Sequence, residues 1–197
     1  MKWLLTALSC LVLVGCGSSS SKPVADSRPA QATSTPAPSP EPRLGKHAAR
    51  EECQTQSGAE FSGAYTDPNN LVVGPLSMIG GAFFTDAATV RAIGGQKYPL
   101  LVRAGHTVTV SVAPEARAFA GLAYGPLPQG KTKLHDSYRA VTFVACSAEK
   151  SISSADGLDV TFWSGAVLTR RPACVPLQVA IDGGGPQRVG VPLGVRC

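Results

Sequence analysis

Six cysteines carry most of the reactive chemistry on this chain: Cys10, Cys16, Cys53, Cys146, Cys174 and Cys197. A thiol can attack an electrophile, ligate a metal, carry an acyl group or pair as a disulfide. Spacing narrows that choice. There is no C-x-x-C pair, and His47, His106 and His135 stand at no ligand spacing, so zinc finds no evident cage. Other chemistry is equally sparse. No G-x-S-x-G elbow occurs, and His135 and Asp136 are sequence neighbours that a strand would turn to opposite sides. The Gly-rich stretches IGGAFF (79–84) and IDGGGPQ (181–187) lack the following helix and lysine of a phosphate loop. Four acids could in principle move protons, Asp136, Glu115, Asp156 and Asp159, but no spacing groups them. The residues nominate no catalytic group, no metal and no cofactor.

The first sixteen residues say where the thiols work. Lys2 precedes a run from Trp3 to Val14 that is apolar apart from Thr6 and Ser9. About twelve residues cannot cross a hydrocarbon layer of roughly 30 Å, which takes about 20. They have the length of a signal-peptide core. The run stops at Leu13-Val14-Gly15-Cys16 and becomes a string of serines. This resembles the bacterial lipobox, Leu-x-small-Cys. Cys10 comes too early and has Ala7 where the motif wants Leu. The resemblance implies a diacylglyceryl group on the Cys16 sulfur, cleavage after residue 15, and palmitate-like chains holding the protein on the extracytoplasmic face of the cell membrane. Each buried CH₂ contributes about 0.8 kcal/mol, so one chain holds marginally and two hold firmly. An ordinary secretory signal with Cys16 a bystander is the rival. A buried apolar helix is disfavoured by the serines.

Residues 16–48 read as a linker. Seven serines and six prolines fall between Gly17 and Lys46, with almost no large apolar side chain. Such a segment cannot bury enough surface to offset its ordering entropy. Fully extended, some 30 residues reach roughly 90 Å, and a flexible coil averages nearer 30 Å. The net charge of +5 does not point to nucleic acid. Residues 1–49 hold five basic and two acidic groups, and residues 50–197 hold thirteen and eleven. No basic face interleaved with aromatics emerges.

Residues 49–197 form one domain of ordinary size, with turn residues between short strands. HTVTVSV puts Val108, Val110 and Val112 on one face and Thr107, Thr109 and Ser111 on the other. AVTFVAC groups Val141, Phe143 and Ala145, and LDVTFW groups Leu158, Val160 and Phe162 against Asp159, Thr161 and Trp163. CVPLQVAID sets Val175, Leu177, Val179 and Ile181 on one side. After Gly183-Gly184-Gly185-Pro186 the chain returns with Val189, Val191, Leu193 and Val195, a closing hairpin. Pro176 and Pro192 mark an edge or a bulge. No segment shows a capped helical stripe. The pattern predicts an all-β, antiparallel sandwich of immunoglobulin-like general architecture. The last quarter, RRPACVPLQVAIDGGGPQRVGVPLGVRC, is similar to the ends of uncharacterised actinobacterial envelope proteins. That resemblance implies no activity.

With Cys10 removed and Cys16 acylated, Cys53, Cys146, Cys174 and Cys197 remain. An even number in an exported chain implies two disulfides, with three connectivities open. Face parity favours Cys146–Cys174 and Cys53–Cys197, because Cys174 lies opposite to Val175 while Cys197 continues the set of Val195. Trp163 falls on the face opposite Val160. With Arg170 and Arg171 it could hold a sugar ring or an anionic wall polymer, although cover by a loop or a second sheet is the favoured reading. The expected function is a non-enzymatic binding or interaction module of the cell envelope. Its partners are the membrane, through Cys16, and an envelope protein or glycan. Two alternatives stand: a glycan hydrolase using the four acids above, and a passive structural spacer.

Overall fold

The structure is a computed structural model that describes residues 48–125 and 133–197. The expected signal peptide, Cys16, most of the expected linker and His47 lie outside the described residues. Within them the chain is all-β and sandwich-like. The strands are β1 (Ala48–Glu51), β2 (Glu60–Phe61), β3 (Leu71–Val73), β4 (Leu76–Met78), β5 (Gly95–Lys97), β6 (Leu100–Arg103), β7 (Thr107–Val112), β8 (Ala120–Tyr124), β9 (Ala140–Val144), β10 (Ser153–Ala155), β11 (Leu158–Trp163), β12 (Gly165–Thr169), β13 (Ala173–Ile181) and β14 (Gln187–Leu193). Three sheets result: β1-β9-β7-β13-β14, β2-β10-β11-β6-β4-β3 and β5-β12-β8. Two pairings are parallel, β1 with β9 and β10 with β2. The sandwich is therefore mixed, not purely antiparallel.

The five-stranded sheet follows its alternation. Val110 stands opposite Val141 on β9 and Val179 on β13, and Val112 opposite Leu177. All five side chains are buried. Removing a Val or Leu side chain from water contributes about 1.5–3 kcal/mol. Such rows, directly opposed on one face, hold the sheet's register. The other face is polar: the Thr109 and Thr142 hydroxyls meet at 2.9 Å. Pro192 sits on the edge strand β14. Pro176 lies just past the last β13–β7 pair, Leu177 with Val112, where no neighbour on that side needs its missing N–H.

The six-stranded sheet breaks the alternation. Leu100, Leu101 and Val102 are consecutive and all fully buried. Leu100 and Val102 join the main core, while Leu101 joins a second cluster with Ala64, Ala155 and Val160 on the opposite face. A strand covered on both sides reads as a continuous apolar run. The segment between β2 and β3 provides this second cover. Asp156, in the Asp156-Gly157 turn of the β10–β11 hairpin, anchors it by accepting from the backbone N–H groups of Gly63 and Tyr65.

Among the described residues one α-helix, α1 (Ala87–Ile93), interrupts the strands. Asp86 caps it, accepting from the N–H groups of Ala88 and Thr89 at 2.9 Å, and Gly94 closes it in the left-handed region. The sequence showed no helical stripe here because only Val90 of its seven residues is buried.

Candidate functional site

The four cysteines of the domain pair as Cys53–Cys146 and Cys174–Cys197. The pairing expected from face parity, Cys146–Cys174 and Cys53–Cys197, is incorrect, for two physical reasons. First, β7 lies between β9 and β13, so Cys146 and Cys174 belong to strands that are not neighbours. They also sit at opposite ends of β7: Cys146 follows the Thr107–Val144 pair, while Cys174 lies beyond the Val112–Leu177 pair. Second, parity does not survive a turn. Strand β14 ends at Leu193, and Gly194 takes φ +75°, a conformation that favours glycine. The chain then doubles back and lays Cys197 over the outer face at Gly190. A Cβ on Gly190 would sit 2.8 Å from the sulfurs of both Cys174 and Cys197. Only glycine leaves room for this bridge.

The Cys53–Cys146 bridge belongs to the interior. Cys146 is buried, and its N–H donates to the Thr161 hydroxyl at 2.8 Å. Cys53 opens the short helical turn Cys53–Thr55. The Thr55 hydroxyl in that turn accepts from the Trp163 indole N–H at 3.0 Å. The bridge thus fastens the turn that covers Trp163. Phe143 packs against the same indole, ring centres 5.1 Å apart, and Tyr124 meets Phe143 edge-on at 5.3 Å. Burial raises the Tyr124 phenol well above its ordinary pKa, and its hydroxyl donates to the Tyr98 carbonyl at 2.8 Å. Tyr98 is pushed up to about 12 by the same desolvation.

The Cys174–Cys197 bridge lies at the surface, beside an open groove of about 370 Å³. Ala82, Phe84, Gly190, Pro192, Arg196 and Cys197 line it. The loop before α1 forms one wall and is tied to the end of β14. Thr85 accepts from the Gly194 N–H at 2.9 Å and donates its own N–H to the Pro192 carbonyl at 3.5 Å. Phe83 and Phe84 beside it are 56% and 37% exposed, which is unusual for such side chains. The Arg196 guanidinium lies over the Phe84 ring, 5.1 Å from its centre. Among the described residues Arg196 is the one charged side chain that lines the groove, and it makes no ion pair with them. An exposed aromatic ring, a cation with no ion pair among the described residues and an exposed cysteine line one groove.

No protein-family model, curated protein or solved structure matches this chain.

The other residues singled out from sequence do not assemble into a site. Trp163 is 2% exposed and belongs to the core, so it presents no ring to a ligand. Arg170 and Arg171 lie past the far end of β12, whose five residues, about 17 Å of strand, separate them from the Trp163 end of β11. Arg171 stacks on Phe119 at 4.8 Å, in the turn before β13. The acids are occupied separately. Glu115 pairs with Arg188, Asp136 contacts His135, and Asp156 holds backbone N–H groups. Asp159 is exposed on β11. His106 meets Asp182 at 2.8 Å. The Thr107 N–H and then His106 hold the Asp182 carboxyl below its usual range. Among the described residues no group of three or more His, Cys, Asp or Glu could hold a metal ion. None of their helices is long and apolar enough to cross a membrane.

Sequence reasoning missed Phe84, Gly190 and Arg196. The FF pair at 83–84 and the Arg-Cys pair at 196–197 were visible signals. Nothing in the linear order brings them together, because the Gly194 turn does so.

Proposed function

We propose that this protein is a lipid-anchored, extracytoplasmic binding module of a bacterial envelope. The signal peptide, residues 1–15, is removed and Cys16 carries the acyl chains. Residues 16–48 hold the sandwich, residues 49–197, away from the lipid surface. The observation that supports this reading most is the thiol arrangement: all four cysteines of the domain are bridged, while Cys16 stands alone at the end of Leu13-Val14-Gly15. Full pairing suits an oxidising compartment, and such a compartment begins beyond the cytoplasmic membrane.

The groove at Arg196 favours binding over a passive spacer. A concave site with an exposed aromatic ring and one cation suits a partner with an apolar body and an anionic group. An envelope protein or an acidic glycan substituent has this character. The role in this reading is binding without turnover, and it needs no cofactor and no nucleic acid.

The test is fractionation of cells that express the full chain or its Cys16→Ser variant. The wild-type chain should sediment with membranes and partition into detergent. The variant should be released in soluble form or retained as an uncleaved precursor. Identical membrane association of a fully processed variant would overturn the anchor.

A further inference from the structure

We infer that the Cys174–Cys197 bridge is a site of reversible thiolation, opened by small thiols that carry an acidic group. The inference goes beyond the envelope reading and does not depend on the lipid anchor. Four observations carry it. The first is access. Cys197 is exposed and lines the groove with Cys174 half-buried, whereas in the inner bridge Cys53 is half-buried and Cys146 is 1% exposed. Exchange requires an attacking thiolate to reach one sulfur of the bridge, so access governs which bridge reacts.

The second is charge. Arg196 neighbours Cys197, makes no ion pair among the described residues, and is positioned by the Phe84 ring. A guanidinium attracts an anionic thiol and stabilises thiolate beside the bridge. The third is shape. An open groove of about 370 Å³ lined by Phe84, Pro192 and Ala82 leaves room for a small thiol's body beside Cys197.

The fourth is that the fold survives opening. The bridge spans only 23 residues. The strands it joins are already held by seven register pairs, from Ala173–Leu193 to Val179–Gln187. Opening it releases residues 195–197 from their tether, while Gly194 stays bonded to Thr85 and β13 stays paired with β14. A bridge whose loss unfolds its domain could not cycle, and this one can.

The step balances as follows. The thiolate RS⁻ attacks the Cys197 sulfur and forms an R–S–S–Cys197 mixed disulfide. The Cys174–Cys197 bond breaks, its electron pair stays on the Cys174 sulfur, and that thiolate takes a proton from water. Attack by Cys174 on the mixed disulfide reverses the step and expels RS⁻. A second RS⁻ instead attacks the R-bearing sulfur, which releases RSSR and a Cys197 thiolate that takes a proton from water, leaving two cysteine thiols. Two electrons then pass from two thiol molecules to the bridge.

The experiment treats the folded full chain with mercaptopropionate or with neutral mercaptoethanol, quenches with an alkylating reagent, and reads each cysteine by peptide mass. The expected result is opening of Cys174–Cys197 at least about tenfold faster than Cys53–Cys146, with the adduct on Cys197. Arg196→Gln, a surface change that spares the core, should slow opening by mercaptopropionate about fivefold and by mercaptoethanol less than about twofold. Equal rates at the two bridges, an adduct on Cys174, or an Arg196→Gln variant that slows both thiols alike would overturn the inference.

Discussion

The two disulfides join the same domain in opposite ways. Cys53–Cys146 spans 93 residues, lies against the core, and fastens the turn whose Thr55 caps Trp163. Cys174–Cys197 spans 23 residues, lies on the outside of a hairpin, and faces an open groove. The first continues the parallel β1–β9 pairing just beyond its last register pair, Glu51–Phe143, and adds the turn that covers Trp163. The second repeats a connection that the β13–β14 ladder already makes. Both bridges extend a ladder, so surroundings separate them: the outer one faces the groove, while the inner one has Cys146 buried and holds the turn over Trp163.

Removal of each bridge tests this contrast with the largest expected effects. In the chain-entropy argument a 93-residue loop contributes about 4.5 kcal/mol and a 23-residue loop about 3.5 kcal/mol, with smaller values usual in practice. The measured gap should exceed that difference, because loss of the inner bridge also frees the cover over Trp163. Cys53→Ala/Cys146→Ala should therefore unfold at much lower denaturant than Cys174→Ser/Cys197→Ser. Equal midpoints would remove the distinction. Trp163→Ala comes next. A buried indole truncated to methyl costs about 3–5 kcal/mol, so the variant should melt many degrees lower. A loss under about 1 kcal/mol would return Trp163 to the surface.

These effects also show what the linear sequence carries. Strand β7 was legible residue by residue, because Val108, Val110 and Val112 alternate with two threonines and a serine and one face is polar. The final hairpin was legible for the same reason. The position of Trp163 was not. Strand β11 is covered on both faces, so Val160 and Trp163 are both buried, in different clusters, and period two cannot assign a single inside. Cysteine pairing failed for a deeper reason. It depends on strand order, and nothing local tells that β7 separates β9 from β13. The groove depends on a turn beyond the last strand, where parity no longer counts. Local chemistry reported elements, while non-adjacent pairing set the site.

Alkaline titration sharpens the account of the interior. Burial pushes Tyr65 and Tyr98 up to about 12, and Tyr124 higher. Their folded pKa values exceed the unfolded value of about 10. Stability is then full below about 10 and is lost as pH rises through the folded values. Tyrosinate absorbance from these three residues should appear together with unfolding. Ionisation of all tyrosines near 10 in a folded chain would contradict their burial.

The smallest effect concerns the outer end of the β13–β14 hairpin. The lowered pKa of Asp182, due first to the Thr107 N–H and then to His106, makes its contribution present above about 4 and lost as pH falls below that. The group is solvent-exposed, so Asp182→Asn should cost about 0.5 kcal/mol or less at neutral pH. The difference from wild type should vanish in acid. A variant equally destabilised at every pH would assign the loss to geometry instead of charge.

Intact-mass spectrometry of the protein recovered from its native membrane, under conditions that block thiol exchange, tests the central claim most directly. The account predicts a chain that begins at Cys16, carries the mass of a diacylglyceryl group there, and holds no free thiol on its four remaining cysteines. A chain that retains Met1 without acyl mass, with its domain cysteines reduced, would contradict it.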